Sequence, residues 1–129
     1  MTQEKAVVRT ESAPAPFQGA PYSQAITANG FVFVSGQLGL KPDHGEIEGG
    51  ITQQTEQVFA NLRAILEAAG TGLERLVKTT VFLADLGDFA AMNEVYAAQV
   101  GASPPARSTV EVAALPSGAL VEIEAIAQL

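Results

Sequence analysis

The chain has 129 residues, and its 14 acidic against 7 basic side chains give a formal net charge of −7 at pH 7. The bases are scattered singly, so no basic patch opposes the repulsion that a nucleic-acid backbone would meet. With no cysteine, the chain cannot form disulfides, a catalytic thiolate or a cysteine-based metal site. This length fits a single domain, residues 1–129.

Simple sequence patterns argue against three further features: a zinc site, a signal peptide and a membrane-spanning helix. The one histidine, His44, stands in a polar stretch where we expect it to be solvated, and a single histidine does not build a typical zinc site. The first residues lack a basic segment followed by an apolar one, so no signal peptide is indicated. Apolar runs are far shorter than the roughly 20 residues of a membrane helix. We expect a cytoplasmic protein without a metal, a membrane partner or a nucleic-acid partner.

The first part of the chain predicts three strands. A short strand over residues 5–10 precedes a proline-rich loop or arm over 11–21. A β-hairpin then joins 24–28 to 31–37 across Asn29-Gly30, which is a favoured two-residue turn.

The rest of the chain predicts two helices and three strands. Apolar spacing indicates a helix over 51–69 that ends at Gly70, and a β-branched strand follows over 76–83. A second helix over 89–100 begins after Asp88, which we expect to be its N-cap. Two closing strands lie within 104–127, joined by a Pro-Ser-Gly turn.

This order predicts an α/β (α+β) domain with one mixed six-stranded sheet and both helices packed on one face. The other face of the sheet also carries apolar residues, and no helix remains to cover it. We therefore expect a homo-oligomer, with any site on that face lying between subunits.

Each closing strand carries a charge where a strand pattern favours none. Arg107 opens the first strand after two prolines, and Glu122 lies between two apolar residues in the second. A hairpin-like connection would bring them into one pocket, where the guanidinium grips a carboxylate and the glutamate orients or deprotonates a water. The pair suits a small acid with an electrophilic carbon. A structural ion pair is the alternative, and Glu124 competes for the role of Glu122.

Other polar residues near apolar or glycine-rich stretches are weaker candidates. Tyr22, Ser35 and Asn93 each have an ordinary structural explanation, and Phe89 is more typical of a core position. Gly36 would let another group approach the backbone closely.

Several motifs together resemble the RidA/YjgF family of reactive-intermediate deaminases. They span nearly the whole chain and are the runs 19–25, 34–37, 77–82, 88–90 with Asn93, 105–108, 110–113, 115–116 and 121–127. The resemblance implies a chorismate-mutase-like fold and a homotrimer with three sites between subunits. It also implies hydrolysis of 2-iminobutanoate, 2-iminopropanoate and similar enamine or imine acids to a 2-keto acid and ammonia, with no cofactor.

Roles follow by position from the same resemblance. Arg107 would bind the substrate carboxylate and Glu122 would position the attacking water. The expected pocket lining is Tyr22, Ser35, Gly36, Phe89 and Asn93, with the backbone of Thr109 contacting the ligand. Many relatives have cysteine at the position of Thr109, so a mechanism that needs a thiol is in doubt here.

Two other functions stay open at this point. One is a non-catalytic regulatory trimer that binds a 2-keto acid in the same pocket without turning it over. The other is a ribonuclease, an activity also attributed to this family, which the acidic charge and the lack of a histidine pair disfavour.

Overall fold

The computed structural model describes residues 4–43 and 45–129, so His44 lies outside the described residues and its solvated position stays a prediction. The elements of the described part are β1 Ala6–Val8, β2 Ala25–Ala28, β3 Phe31–Leu38, α1 Ile51–Ala68, β4 Leu76–Leu83, α2 Phe89–Val100, β5 Ala106–Glu111 and β6 Val121–Gln128. Short 3₁₀ turns, which we did not predict, lie between some of them.

These strands form one sheet in the order β1-β2-β3-β6-β4-β5. Its pairings are antiparallel except that β4 and β5 run parallel, connected through α2. The prediction of a mixed six-stranded sheet with two helices is confirmed. Among the described residues, no helix combines the length and apolar character needed to cross a membrane.

The hairpin between β2 and β3 follows from its turn residues. Asn29 and Gly30 have φ of 51° and 84°, both in the left-handed region that this dipeptide tolerates. The turn sets Ala28 opposite Phe31, which puts Val32 and Val34 on the buried face of the sheet.

The core lies between this sheet face and the two helices. On α1, Val58, Leu62, Ile65 and Leu66 have no exposed surface, as their spacing predicts. They meet alternate, equally buried residues of the central strands, among them Val32, Val81, Leu83, Val121 and Ile123. Burying each such side chain contributes about 1.5–3 kcal/mol.

The C-terminus of α1 and the N-terminus of α2 are stabilised in different ways. Gly70, with φ of 92°, follows the last turn of α1 in the predicted cap position. Asp88 precedes α2 as expected, but its side chain makes no capping hydrogen bond. Instead Asp85 accepts a 2.7 Å hydrogen bond from the Gly87 N–H in the turn before the helix.

The two closing strands are not a hairpin, and that prediction is wrong. Strand β6 lies between β3 and β4, and β4 separates it from β5. As a central strand, β6 has both rows of its backbone groups paired, whereas a hairpin partner of β5 would lie at the edge of the sheet. Its buried alternate residues suit this central position.

The face of the sheet opposite the helices is open in the single chain. Phe33 is 44% exposed there, and Phe31 lies beside it with ring centroids 6.5 Å apart. Val110 on β5 is also exposed, at 43%. An apolar surface of this kind is typical of a protein interface.

Candidate active site

A cleft of about 490 Å³ opens beside the strands β3 and β6. Four residues predicted from the sequence line it: Tyr22, Ser35, Gly36 and Glu122. Glu124, the predicted competitor of Glu122, lines the same cleft. The N-terminal arm, residues 11–21, supplies the opposite wall. This cleft is one half of the predicted site.

Gly36 makes room for the Glu122 carboxylate. It lies in an irregularity of the β3–β6 pairing between Val34 and Gln37. A Cβ placed on Gly36 would overlap the Glu122 Oε2 atom and lie 2.9 Å from its Cδ. Only glycine therefore lets the carboxylate rest against the strand in this position.

The pKa of Glu122 is raised above its usual range. Burial in the cleft is the larger cause, because it penalises the charged form, and the neighbouring negative charge of Glu124 adds to it. Both glutamates point to the open face of β6, two residues apart. A carboxylate with a raised pKa is a better proton acceptor once it is ionised.

The two hydroxyl groups of the cleft differ in the further hydrogen bonds that they can form. The Ser35 hydroxyl donates a 2.6 Å hydrogen bond to the Ser23 carbonyl, so its oxygen is left to accept. The Tyr22 hydroxyl accepts a 2.7 Å hydrogen bond from the Phe17 N–H, so its own proton is left to donate. The cleft thus offers a donor and an acceptor beside Glu122.

A second cluster forms where β5 meets α2. The Arg107 guanidinium donates a 2.7 Å hydrogen bond to Asn93 Oδ1. Its central carbon lies 4.7 Å from the ring centroid of Tyr96 and 5.5 Å from that of Phe89. The Asn93 amide holds the guanidinium by this hydrogen bond, and the two aromatic rings hold it by cation–π contacts, which suit arginine.

Tyr96 is itself fixed by its neighbours. Its hydroxyl shares a 2.6 Å hydrogen bond with Thr79 Oγ1, and its ring meets Phe59 edge-on at 5.5 Å. Sequence reasoning did not single out Tyr96 and missed its contact with Arg107. The spacing shows only that Tyr96, three residues after Asn93, shares its helix face, and the contact with Arg107 on β5 depends on the tertiary structure.

No carboxylate of the described residues neutralises Arg107. Within residues 4–43 and 45–129 the one ion pair joins Lys41 to Glu48 at 3.4 Å. The structural ion pair between Arg107 and Glu122 considered from the sequence is therefore not formed in the single chain. Most of the guanidinium donors stay available for an acid from outside.

Thr109 lies two residues after Arg107 on the same face of β5. Its Oγ1 is buried, and no hydrogen-bond partner for it occurs among the described residues. Thr109 therefore lies next along the same strand face as Arg107.

Arg107 and Glu122 do not share a pocket within one chain. Arg107 is in register with Thr79, whose side chain reaches Tyr96 on the helix side. Glu122 is in register with Phe82, on the open side. The single chain therefore carries two separate candidate half-sites, the cleft and the Arg107 cluster, on different faces of the sheet.

Comparison with known proteins agrees with the sequence motifs. Residues 10–129 match the family described as Endoribonuclease L-PSP. Reactive Intermediate Deaminase A, chloroplastic, of Arabidopsis thaliana is 53% identical over 127 residues, which cover 98% of this chain and 67% of that protein. The 2-iminobutanoate/2-iminopropanoate deaminase of Mus musculus is 47% identical over 122 residues, covering 94% of this chain and 89% of that protein.

Solved structures share the fold. The crystal structure of E. coli TdcF with bound serine has a TM-score of 0.90 and 39% identity, covering 96% of this chain and 98% of that one. Other relatives, from Pyrococcus, carry only the name RutC family protein. The family thus includes proteins named as imine deaminases. On its sequence and its fold, this chain belongs to the Endoribonuclease L-PSP family, which is the RidA/YjgF family that its motifs resemble.

Proposed function

We propose that this protein is a cofactor-independent imine deaminase. It hydrolyses 2-iminobutanoate, 2-iminopropanoate and related 2-imino acids to the 2-keto acid and ammonia. The observation that carries the proposal is the pair of half-sites. One holds an oriented guanidinium without a carboxylate partner, and the other holds a partly desolvated glutamate in a cleft.

The two half-sites are joined in this proposal by assembly. Each chain leaves its open sheet face uncovered, with Phe33 and Val110 exposed. Arg107 lies on β5, which is an edge strand of the sheet, so packing of the copies in a closed homotrimer would place this edge of one subunit over the cleft of the next. Three equal sites would then lie between subunits.

Binding of the acid is assigned to the Arg107 cluster. The guanidinium would hold the substrate carboxylate in a two-pronged hydrogen bond, which arginine provides better than lysine. Asn93 and Phe89 keep the guanidinium oriented, and the backbone of Thr109 adds a contact to the ligand. The positive charge beside the carboxylate also keeps the small acid in place despite the acidic protein.

Hydrolysis is assigned to Glu122. As a water oxygen forms a bond to the imine carbon, the Glu122 carboxylate takes up one of its protons, and the C=N electron pair moves to nitrogen. The carboxyl group then returns the proton to that nitrogen. The imine enters in its protonated form, so the nitrogen is now an ammonium group. The C–N bond breaks with its electron pair going to nitrogen, and ammonia leaves. The Glu122 carboxylate accepts the proton of the remaining hydroxyl as the keto group forms, and this proton passes to the departing ammonia. Such general acid–base catalysis typically contributes about 10²–10⁴-fold.

The cleft hydroxyls assist in opposite ways. Tyr22, whose proton is free, would donate to the substrate oxygen atoms. Ser35, whose oxygen is free, would accept from the imine nitrogen or the attacking water. Because a protonated imine is already electrophilic, positioning of this kind supplies much of the acceleration.

The direct test follows imine decay in the presence of the protein. The 2-imino acid is generated continuously by a pyridoxal-phosphate dehydratase acting on threonine, and the appearance of 2-keto acid is recorded. Wild-type protein should accelerate this step, whereas Arg107→Ala and Glu122→Gln should each accelerate it at least about tenfold less. No acceleration by wild type would refute the proposal.

A non-catalytic, keto-acid-binding trimer is the second candidate. It is favoured by the bound serine of TdcF, since serine is an amino acid rather than an imine. Calorimetry that detects 2-oxobutanoate binding, together with no effect on imine decay, would support this function instead.

The family description also names an endoribonuclease. A net charge of −7 and a single histidine in the sequence argue against RNA cleavage here. Incubating the purified protein with RNA, with and without Arg107→Ala, decides the matter, because loss of cleavage in the variant would place the activity in this site.

A further inference from the structure

The cleft beside β3 and β6 has two chemically different walls. The strand wall presents Ser35, Gly36 and Glu122. The arm presents apolar surface from Pro14, Ala15, Phe17 and Ala20. The polar chemistry of the proposed reaction therefore lies on one side, and a surface suited to hydrocarbon groups lies on the other.

The arm has almost no regular structure of its own. A single 3₁₀ turn, Phe17–Gly19, interrupts it, with Gln18 at φ of 53°. An irregular segment has no backbone ladder to hold it, so its position depends on side-chain hydrogen bonds and on the packing of the buried Ala13 in the core.

The side-chain amide of Gln24 supplies two hydrogen bonds to the arm and two more to Thr10, the residue directly before it. Its Nε2 donates to the carbonyls of Thr10 at 3.0 Å, Ala13 at 3.2 Å and Pro14 at 2.8 Å. Its Oε1 accepts from the Thr10 N–H at 2.8 Å. Gln24 is only 3% exposed, so these bonds are shielded from water and their loss would leave polar groups unpaired.

Gln24 also connects the arm to the strand wall. Its backbone carbonyl accepts a 3.0 Å hydrogen bond from the Ser35 N–H. The Tyr22 hydroxyl fixes the far end of the arm through the Phe17 N–H. One residue thus sets the distance between the apolar wall and the side of the cleft that carries Glu122.

We infer that the arm, held by Gln24, is the wall that receives the side chain of the substrate, so that Gln24 is a positioning residue and Phe17 a specificity-determining one. This rests on the proposed function. With the carboxylate on Arg107 and the imine carbon at Glu122, the side chain points to the remaining surface, which is apolar. The site then favours 2-imino acids with extended apolar side chains over short ones.

The experiment compares two imines, generated in the cuvette by an L-amino acid oxidase from leucine and from alanine. The measured quantity is the ratio of kcat/KM for the leucine-derived imine to that for the alanine-derived one. A pocket distinguishes apolar side chains by roughly 10–200-fold per methylene-sized change, so Phe17→Ala should lower the ratio at least about fivefold. Gln24→Met should lower it similarly, mainly through the KM of the leucine-derived imine.

Gln54→Met is the matched control. Gln54 is another buried glutamine, 4% exposed, whose amide bonds Leu120 and Gly49 instead of the arm. Gln54→Met should lower Tm without changing the ratio of the two kcat/KM values. Gln24→Asn keeps an amide group, so its ratio should stay closer to that of wild type than the ratio of Gln24→Met. Phe17→Ala covers the case in which Gln24→Met does not fold, because the bond to Tyr22 uses the Phe17 backbone.

A binding measurement separates the two proposals. Calorimetry compares 4-methyl-2-oxopentanoate with pyruvate as ligands of wild type and Phe17→Ala. If wild type hydrolyses both imines but neither ratio changes in the variants, the arm does not receive the side chain and the inference is overturned. If wild type hydrolyses neither imine, the deaminase proposal fails. In that case, a loss of the binding preference for the longer keto acid in Phe17→Ala would still support the inference.

Discussion

Arg107 and Glu122 point to opposite faces of one sheet, with strand β4 between the strands that carry them. Neither can complete a site with the other inside one chain. In the proposed function, each site uses Arg107 from one subunit and Glu122 from another.

Mixing of two inactive variants tests this sharing. Arg107→Ala and Glu122→Gln should each lower kcat/KM by roughly tenfold to a hundredfold, since both remove a charged hydrogen-bonding group. Unfolding and refolding them together should restore activity to about a quarter of wild type, because a random mixture gives that share of sites both intact residues. Activity that stays at the level of the single variants would show that the two residues act within one chain or not at all.

Assembly itself depends on the open face. Phe33→Glu places a charge in the exposed apolar patch and should convert the oligomer to monomers, with loss of activity. Light scattering on a size-exclusion column reports the mass, which should be three times the 13.4 kDa of the chain for wild type. Ala60→Glu, which adds the same charge on an exposed position of α1, is the control and should remain oligomeric.

The acid limb of the activity profile should report Glu122. Hydrolysis needs the ionised carboxylate, so the rate should fall as pH decreases through the raised pKa of Glu122. Glu124→Gln removes the neighbouring charge and should move this limb to lower pH. Glu67→Gln, on the exposed side of α1, should leave it in place. An unmoved limb in Glu124→Gln would show that the charge of Glu124 does not act on the group that titrates.

The same carboxylate should destabilise the fold at neutral pH. Burial raises the pKa of Glu122 in the folded chain, so the unfolded chain releases this proton at lower pH and ionisation favours unfolding. Glu122→Gln should therefore have a higher Tm than wild type near pH 7. The difference should vanish on acidification below the unfolded value of about 4.3, where both states hold the proton. A Tm that is lowered at neutral pH would mean that the carboxylate makes net favourable contacts.

Gly36→Ala should displace the carboxylate without unfolding the chain. The added methyl would overlap Oε2 of Glu122, so the side chain must turn away from its place against β3. Activity should fall by roughly tenfold or more, because small displacements at a reacting centre are costly. Gly50→Ala, where the nearest atom would be 3.8 Å away, is the matched control and should keep full activity. Unchanged activity in Gly36→Ala would remove the need for this glycine.

The sequence by itself determined the elements of this protein. The positions of β4 and α2 were predicted to the residue, because β-branched runs and the period of apolar residues are local properties of the chain. The Asn29-Gly30 turn was likewise predictable, since the left-handed backbone is a preference of those two residues. Motifs spanning nearly the whole chain were enough to indicate the family.

The tertiary structure decided which residues meet. Strand order depends on packing between distant segments, so no local pattern could show that β6 pairs with β3 and β4 instead of β5. For the same reason the stacking of Arg107 on Tyr96 and the hold of Gln24 on the arm were missed. Side-chain contacts between segments are set by the folded backbone, and only its geometry separates Arg107 from Glu122.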